Sequence, residues 1–155
     1  MEIIRPVWPA PENILAGVST RSLSPSSSIS IPKAYGSFNL AMHVGDDQNS
    51  VAHNRSTLNN HIQSIYSITE ANLNWCWLNQ THSSNTVEAG CQLNNENGDS
   101  SLPPADASWS NTPGQVCVVL TADCLPILLA DRKGRAVAAI HAGWRGLLNG
   151  VVANC

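Results

Sequence analysis

The sequence predicts a single-domain α/β protein, and three observations carry that reading. Apolar residues recur at helical spacing over about residues 48–66, at Val51, Leu58, Ile62 and Ile65. Three short apolar runs, Val116–Thr121, Ile127–Ala130 and Ala136–Ile140, follow later, each of a length that suits a buried strand. A second helical pattern then begins with Leu147, Leu148, Val151 and Val152. A chain of 155 residues with 43% apolar residues has material for one core.

Taken in order, the stretch up to about Asn39 is rich in Pro and Ser. Within it, residues 14–19 read as a short strand ending at Ser19-Thr20-Arg21, and residues 24–31 as a surface loop. Phe38-Asn39-Leu40 leads into His43-Val44-Gly45-Asp46-Asp47, where Asp46 or Asp47 suits the N-cap of the first helix. His53 and His61 fall on the other face of that helix, as solvated side chains. Residues 75–78 read as a strand, followed by Asn79-Gln80-Thr81-His82 and a second short strand near residues 86–89. The polar residues 91–104 form a loop, and Asn111-Thr112-Pro113-Gly114 a turn. The last apolar run ends at His141-Ala142-Gly143-Trp144-Arg145-Gly146. The chain stops inside the helix that follows, so the C-terminal part of the domain is expected to be missing.

Composition narrows the function classes. Charged residues make up 12% and the net charge is −3, with no basic cluster to meet a nucleic acid. The apolar runs are too short to span a bilayer, and the N-terminus lacks the basic and apolar regions of a signal peptide. Five cysteines at irregular spacings argue against a disulfide framework and for a reducing compartment, hence a cytoplasmic protein. Of these, Cys76 and Cys117 are expected in the core, while Cys91 and Cys155 carry no signal.

The chemistry concentrates around a hairpin. Asp131-Arg132-Lys133-Gly134 is a turn signal between two apolar runs. With the turn centred between Arg132 and Lys133, Pro126 faces Ala139 and Cys124 faces His141. Directly opposed residues have Cβ atoms about 4.5–5.5 Å apart. A thiol beside an imidazole admits three readings: shared ligands of zinc or copper, a Cys124 nucleophile activated by His141, or plain packing. Asp123 adds an acid at the strand end, and an acid there needs a partner. Gly143 to Gly146, with the Arg145 guanidinium, lie between a strand end and a helix start and suit an anion. His82, in a polar segment beside Gln80, is the natural third ligand. Asn39 and His43 carry less weight on first principles.

These residues resemble the laccase-domain family, also described as multicopper polyphenol oxidase, purine nucleoside phosphorylase and peptidoglycan editing factor. Thr121-Ala122-Asp123-Cys124-Leu125-Pro126 and His141-Ala142-Gly143-Trp144-Arg145-Gly146 look like its two signature blocks. Ser19-Thr20-Arg21, Ser37-Phe38-Asn39-Leu40 with His43-Val44-Gly45-Asp46, Trp77-Leu78-Asn79-Gln80-Thr81-His82 and Ala105-Asp106-Ala107 match further blocks in order. The resemblance covers essentially the whole chain. It implies a layered α/β sandwich with a mixed sheet. It implies a metal, usually zinc with copper as the alternative, held by His82, Cys124 and His141. It also implies phosphorolysis of adenosine, inosine and methylthioadenosine, with adenosine deamination beside it. Arg145 and Arg21 would then help hold phosphate or nucleoside; position in the sequence, not the family, places Asn39, His43 and Gln80 near substrate and Asp123 near the chemistry. Two departures stand out. Ser22-Leu23-Ser24-Pro25 replaces the family's Gly-rich continuation after Arg21, and the chain is shorter than family members generally are.

Three other functions compete with this one. A copper polyphenol oxidase needs a blue-copper site and a many-histidine cluster, and five histidines are too few for both. A Cys124–His141 hydrolase editing peptidoglycan precursors would need no metal. A metal-binding module without activity is the fourth reading. The expected partners are thus a purine nucleoside and phosphate; oligomeric state is not legible.

Overall fold

The computed structural model describes residues 2–21, 34–68, 73–90, 102 and 104–155. The expected loop at 24–31 and Cys91 lie outside them. The chain divides into two compact units, residues 1–8 with 15–70 and residues 9–14 with 71–155.

In the first unit, β1 (Ile3–Ile4) pairs antiparallel with β2 (Val18–Ser19). Helix α1 (Gln48–Ile65) occupies the predicted span and buries Val51, Asn54 and Leu58. Asp47 is its N-cap: the carboxylate accepts from Ser50 N at 2.8 Å, supplying one of the acceptors that the first turn lacks. Its C-terminus closes as a Schellman motif, with Ile68 N donating to Gln63 O and Ser67 N to Ser64 O. Ser67 takes the left-handed position, φ 52°, that glycine usually fills. Two side chains tie α1 to the segment before it: Asn54 Nδ2 donates to Asn39 O and Arg55 Nε to Leu40 O, both at 2.9 Å. His53 is exposed, as expected, whereas His61 is half-buried.

The second unit carries the sheets. Strands β3 (Asn74–Cys76) and β6 (Gln115–Cys117) pair in parallel. A four-stranded mixed sheet has the order β4 (Thr86–Glu88), β5 (Ala107–Ser110), β8 (Val137–Ala142), β7 (Leu125–Ala130), with β4–β5 parallel and the other two pairings antiparallel. Helices α2 (Trp144–Leu148) and α3 (Val151–Asn154) follow, separated at Gly150, whose φ of 83° breaks the single helix that the apolar spacing suggests. This is the mixed α/β fold expected. One core cluster joins Ala107, Ile140 and Val151, with Ile127 and Cys155 against it. Another joins Cys76, Leu78, Ala89 and Ala105, with Cys117 half-buried at its margin.

Two expectations about the last strands need correction. The three apolar runs are not equally buried: β8, inside the sheet, ends in four buried residues, whereas edge strand β7 exposes Leu125 and Leu129 and β6 is half-buried. The hairpin register is also shifted. Pro126 faces His141, not Ala139, and the ladder closes at Asp131–Ala136 around a four-residue loop. Gly134, at φ 68°, and the Arg135 Nε–Asp131 Oδ2 ion pair at 2.7 Å shape that longer loop. In this register Cys124 and His141 are diagonal neighbours on one face instead of a direct pair.

Candidate active site

The shifted register still brings the three expected ligands together. His82 sits in the loop after β3, Cys124 immediately precedes β7, and His141 is the penultimate residue of β8. Their ligand atoms all lie within 4.8 Å of one another. Cys124 Sγ stands 3.8 Å from His82 Nε2, and the two imidazoles meet edge to face with centroids 4.7 Å apart. His82 is exposed, Cys124 half-buried and His141 buried, so the group opens to solvent on the His82 side.

The acid beside this group is not the one the sequence suggested. Asp123 is exposed. The buried acid is Asp106, at the entry to β5 and with no accessible surface. Its Oδ1 is 2.8 Å from His141 Nδ1 and accepts from His82 N at 3.0 Å. Its Oδ2 accepts from Thr81 N at 3.2 Å, Ser83 N at 2.6 Å and Ser83 Oγ at 2.8 Å. Burial pushes this carboxyl upward, and that is the largest single influence on it. The hydrogen bonds from His141, Ser83 and Thr81 together outweigh it and hold Asp106 at about 2, below its usual 3.8. The wrapping loop is strained: His82 has φ 58°, a conformation that costs a non-glycine residue roughly 1–3 kcal/mol. Asp106 had one readable signal, a lone acid between two alanines at the start of a buried strand, which obliges it to find partners.

Two glycines near the site leave little room for a side chain. A Cβ on Gly143 would fall 2.9 Å from His82 Cδ2 and 3.2 Å from Cys124 Sγ. One on Gly146 would fall 3.0 Å from Ser83 O. Helix α2 has only five residues, too short to carry the anion cradle expected of its first turn, and Arg145 is exposed with its guanidinium over the Trp144 ring, 5.2 Å from the centroid. Gln80 uses both ends of its amide on Leu120, donating to O at 2.8 Å and accepting from N at 2.7 Å. That pairing ties the His82 loop to the segment leading to Cys124. The remaining expected residues, Arg21, Asn39 and His43, belong to the first unit. There the Asn39 amide is bonded to Asp46 and to the backbone of Ala41, and the Arg21 and His43 side chains are exposed.

The donor set could hold a single metal ion, and zinc is one that it suits. One soft thiolate and two imidazoles match its preferences, and three protein ligands are the pattern of a catalytic site with one open position. The 3.8 Å between Sγ and Nε2 is near the roughly 3.5 Å that tetrahedral zinc sets between such ligands. With Nδ1 facing Asp106, His141 has Nε2 left for a metal.

Residues 16–155 match the family described as multi-copper polyphenol oxidoreductase laccase. A purine nucleoside phosphorylase of Pseudomonas aeruginosa is 42% identical over 149 residues, 96% of this chain and 52% of its own length. Purine nucleoside phosphorylase YfiH of Escherichia coli is 41% identical over 151 residues, 97% of this chain and 55% of its own. A crystal structure of a Neisseria meningitidis protein superposes with TM-score 0.79 at 40% identity, over 98% of this chain and 55% of that one. The chain thus spans about half the length of the curated relatives it matches.

Proposed function

This chain belongs to the multi-copper polyphenol oxidoreductase laccase family, and on that premise we propose that it works as a zinc-dependent purine nucleoside phosphorylase. The substrates on this reading are adenosine, inosine and methylthioadenosine, with deamination of adenosine as a second activity. The observation that carries it is the convergence of His82, Cys124 and His141 within 4.8 Å, in a chain about 40% identical to proteins bearing the phosphorylase name. Bound by those three residues, zinc supplies Lewis acidity to the reacting centre.

The chain's own groups take the remaining roles. The exposed Arg145 guanidinium, two residues past Gly143, is assigned to the phosphate anion, for which a planar fork of donors is suited. Asp123, exposed and next to Cys124, is assigned to proton transfer with the purine. Gln80 supports the site through Leu120, and Arg21, Asn39 and His43 are the first unit's candidates for the nucleoside. Among the described residues one three-donor cluster is found, sufficient for one ion and short of the several coppers of a multicopper oxidase. No described helix is long and apolar enough to cross a membrane.

The test pairs metal analysis by mass spectrometry with an assay of phosphate-dependent adenine release from adenosine, wild type beside Cys124→Ala. The reading expects about one zinc per chain, lost with Cys124, and activity lost with it. Activity that survives chelators but is abolished by iodoacetamide would replace it with a thiol hydrolase built on Cys124. Activity that requires copper and oxygen would replace it with a phenol oxidase.

A further inference from the structure

The metal reading leaves one buried group without a role. Asp106 touches no solvent, and the five hydrogen bonds of its carboxylate reach two separate stretches of chain, residues 81–83 and His141. Those stretches carry the two histidines of the site. We propose that Asp106 is the positioning residue for both, setting His141 by its tautomer and His82 by its backbone. The proposal rests on the reading of the trio as a metal centre only for its consequence, not for its geometry.

Asp106 acts on the two histidines through different groups, a ring nitrogen of His141 and the main chain around His82. An ionised carboxylate can only accept, so the 2.8 Å contact to His141 Nδ1 requires a proton on that nitrogen. The neutral imidazole then has its lone pair on Nε2, the atom a metal takes. Had Nδ1 faced a donor instead, Nε2 would carry the proton and could not ligate. Carboxylates in this relation to a ligating histidine fix the ring and raise its basicity. For His82 the lever is the main chain. Its φ of 58° turns three successive N–H groups, of Thr81, His82 and Ser83, onto one anion. Convergent backbone N–H groups of this kind form an anion-binding concavity. Here the anion is the protein's own Asp106, and the strained loop is held by it. The exposed His82 side chain therefore starts from a fixed root.

The first test uses the wild-type, metal-free protein with ¹⁵N-labelled histidine. At mildly alkaline pH the His141 ring is expected as the Nδ1–H tautomer, its Nε2 unprotonated. An Nε2–H ring at His141 overturns the proposal without any variant. The second test is Asp106→Asn, read by the same spectrum and by zinc competition against a chromophoric chelator. The expected result is a changed tautomer ratio with zinc binding 10- to 100-fold weaker. If Asp106→Asn does not fold, Ser83→Ala removes one donor to Asp106 without touching a ligand, and a several-fold weaker zinc affinity is expected. Wild-type zinc affinity in the folded variants overturns the proposal. A wild-type chain with the expected tautomer that takes no zinc at all supports the positioning role while refuting the metal reading.

Discussion

Gly143→Ala separates the stability of the fold from the integrity of the site. The glycine's φ of −68° and ψ of 154° are open to alanine, so no backbone strain attends the change. In the unfolded chain the substitution removes conformational freedom, which favours folding by about 0.4–1 kcal/mol. Against this stands the new methyl group, 2.9 Å from His82 Cδ2 and 3.2 Å from Cys124 Sγ. Overpacking of that kind costs about 1–3 kcal/mol when nothing can move. Without metal something can move, because the His82 side chain is exposed and free to swing outward. With zinc bound, His82 and Cys124 are both held in place and the clash persists. The metal-free variant is therefore expected to match wild-type stability within about 1 kcal/mol, while its zinc affinity falls by the full clash, roughly 5- to 150-fold. Denaturant midpoints of the metal-free proteins and a zinc competition titration read the two quantities separately. Zinc affinity within twofold of wild type, or a stability loss with affinity intact, would show that Gly143 does not make room for the metal-bound geometry.

Three other substitutions or conditions test separate parts of the structure. Ser67→Gly, at the left-handed position closing α1, should stabilise the protein by about 1 kcal/mol, seen as a higher denaturant midpoint with unchanged slope. Asp47→Ala should cost about 1 kcal/mol by removing the N-cap acceptor for Ser50 N, with helix content by circular dichroism lost at lower denaturant. Burial pushes the Cys117 thiol up from 9 to about 11, so it stays protonated in the fold where the unfolded chain ionises. Its contribution to stability is whole below pH 9 and declines as pH rises toward 11; equilibrium unfolding at successive pH values should show that fall, and Cys117→Ala should remove this thiol's share of it.

What the sequence displayed and what it concealed divide along the distance between partners. Helix α1 and its Asp47 cap were readable because periodicity and capping are local, three or four residues in reach. The β3–β6 and β4–β5 pairings join residues that no turn connects, and parallel neighbours leave no hairpin signal to read. The hairpin was visible but its register was not. A two-residue turn and the four-residue loop with Gly134 at positive φ differ by two residues, and that shift moved His141 from Cys124 to Pro126 while keeping the same face. The hairpin pointed to Cys124 beside His141 with His82 as third ligand, but their spacing matches no metal motif, and the family blocks are what favoured a metal over a nucleophile or plain packing. The buried acid's place in the site was not legible, because Asp106 reaches His141 only through the β5–β8 ladder, whereas Asp123 stands next to Cys124 in sequence.

The position of Pro126 in β7 has a consequence for association. His141 N donates toward β5, to Asp106 O, so the facing pair Pro126–His141 makes no ladder bond between β7 and β8. A proline there costs the sheet nothing, and the donor it lacks is one that would have pointed outward. Among the described residues, the outward edge of β7 is therefore left with Leu128 and Ala130 as its N–H donors, beside the exposed side chains of Leu125 and Leu129. An incoming strand finds an apolar border with a missing rung at its Cys124 end. Edge-to-edge aggregation is blunted where the Cys124 thiol lies, and any strand that adds to this sheet must find its register from the hairpin-loop end.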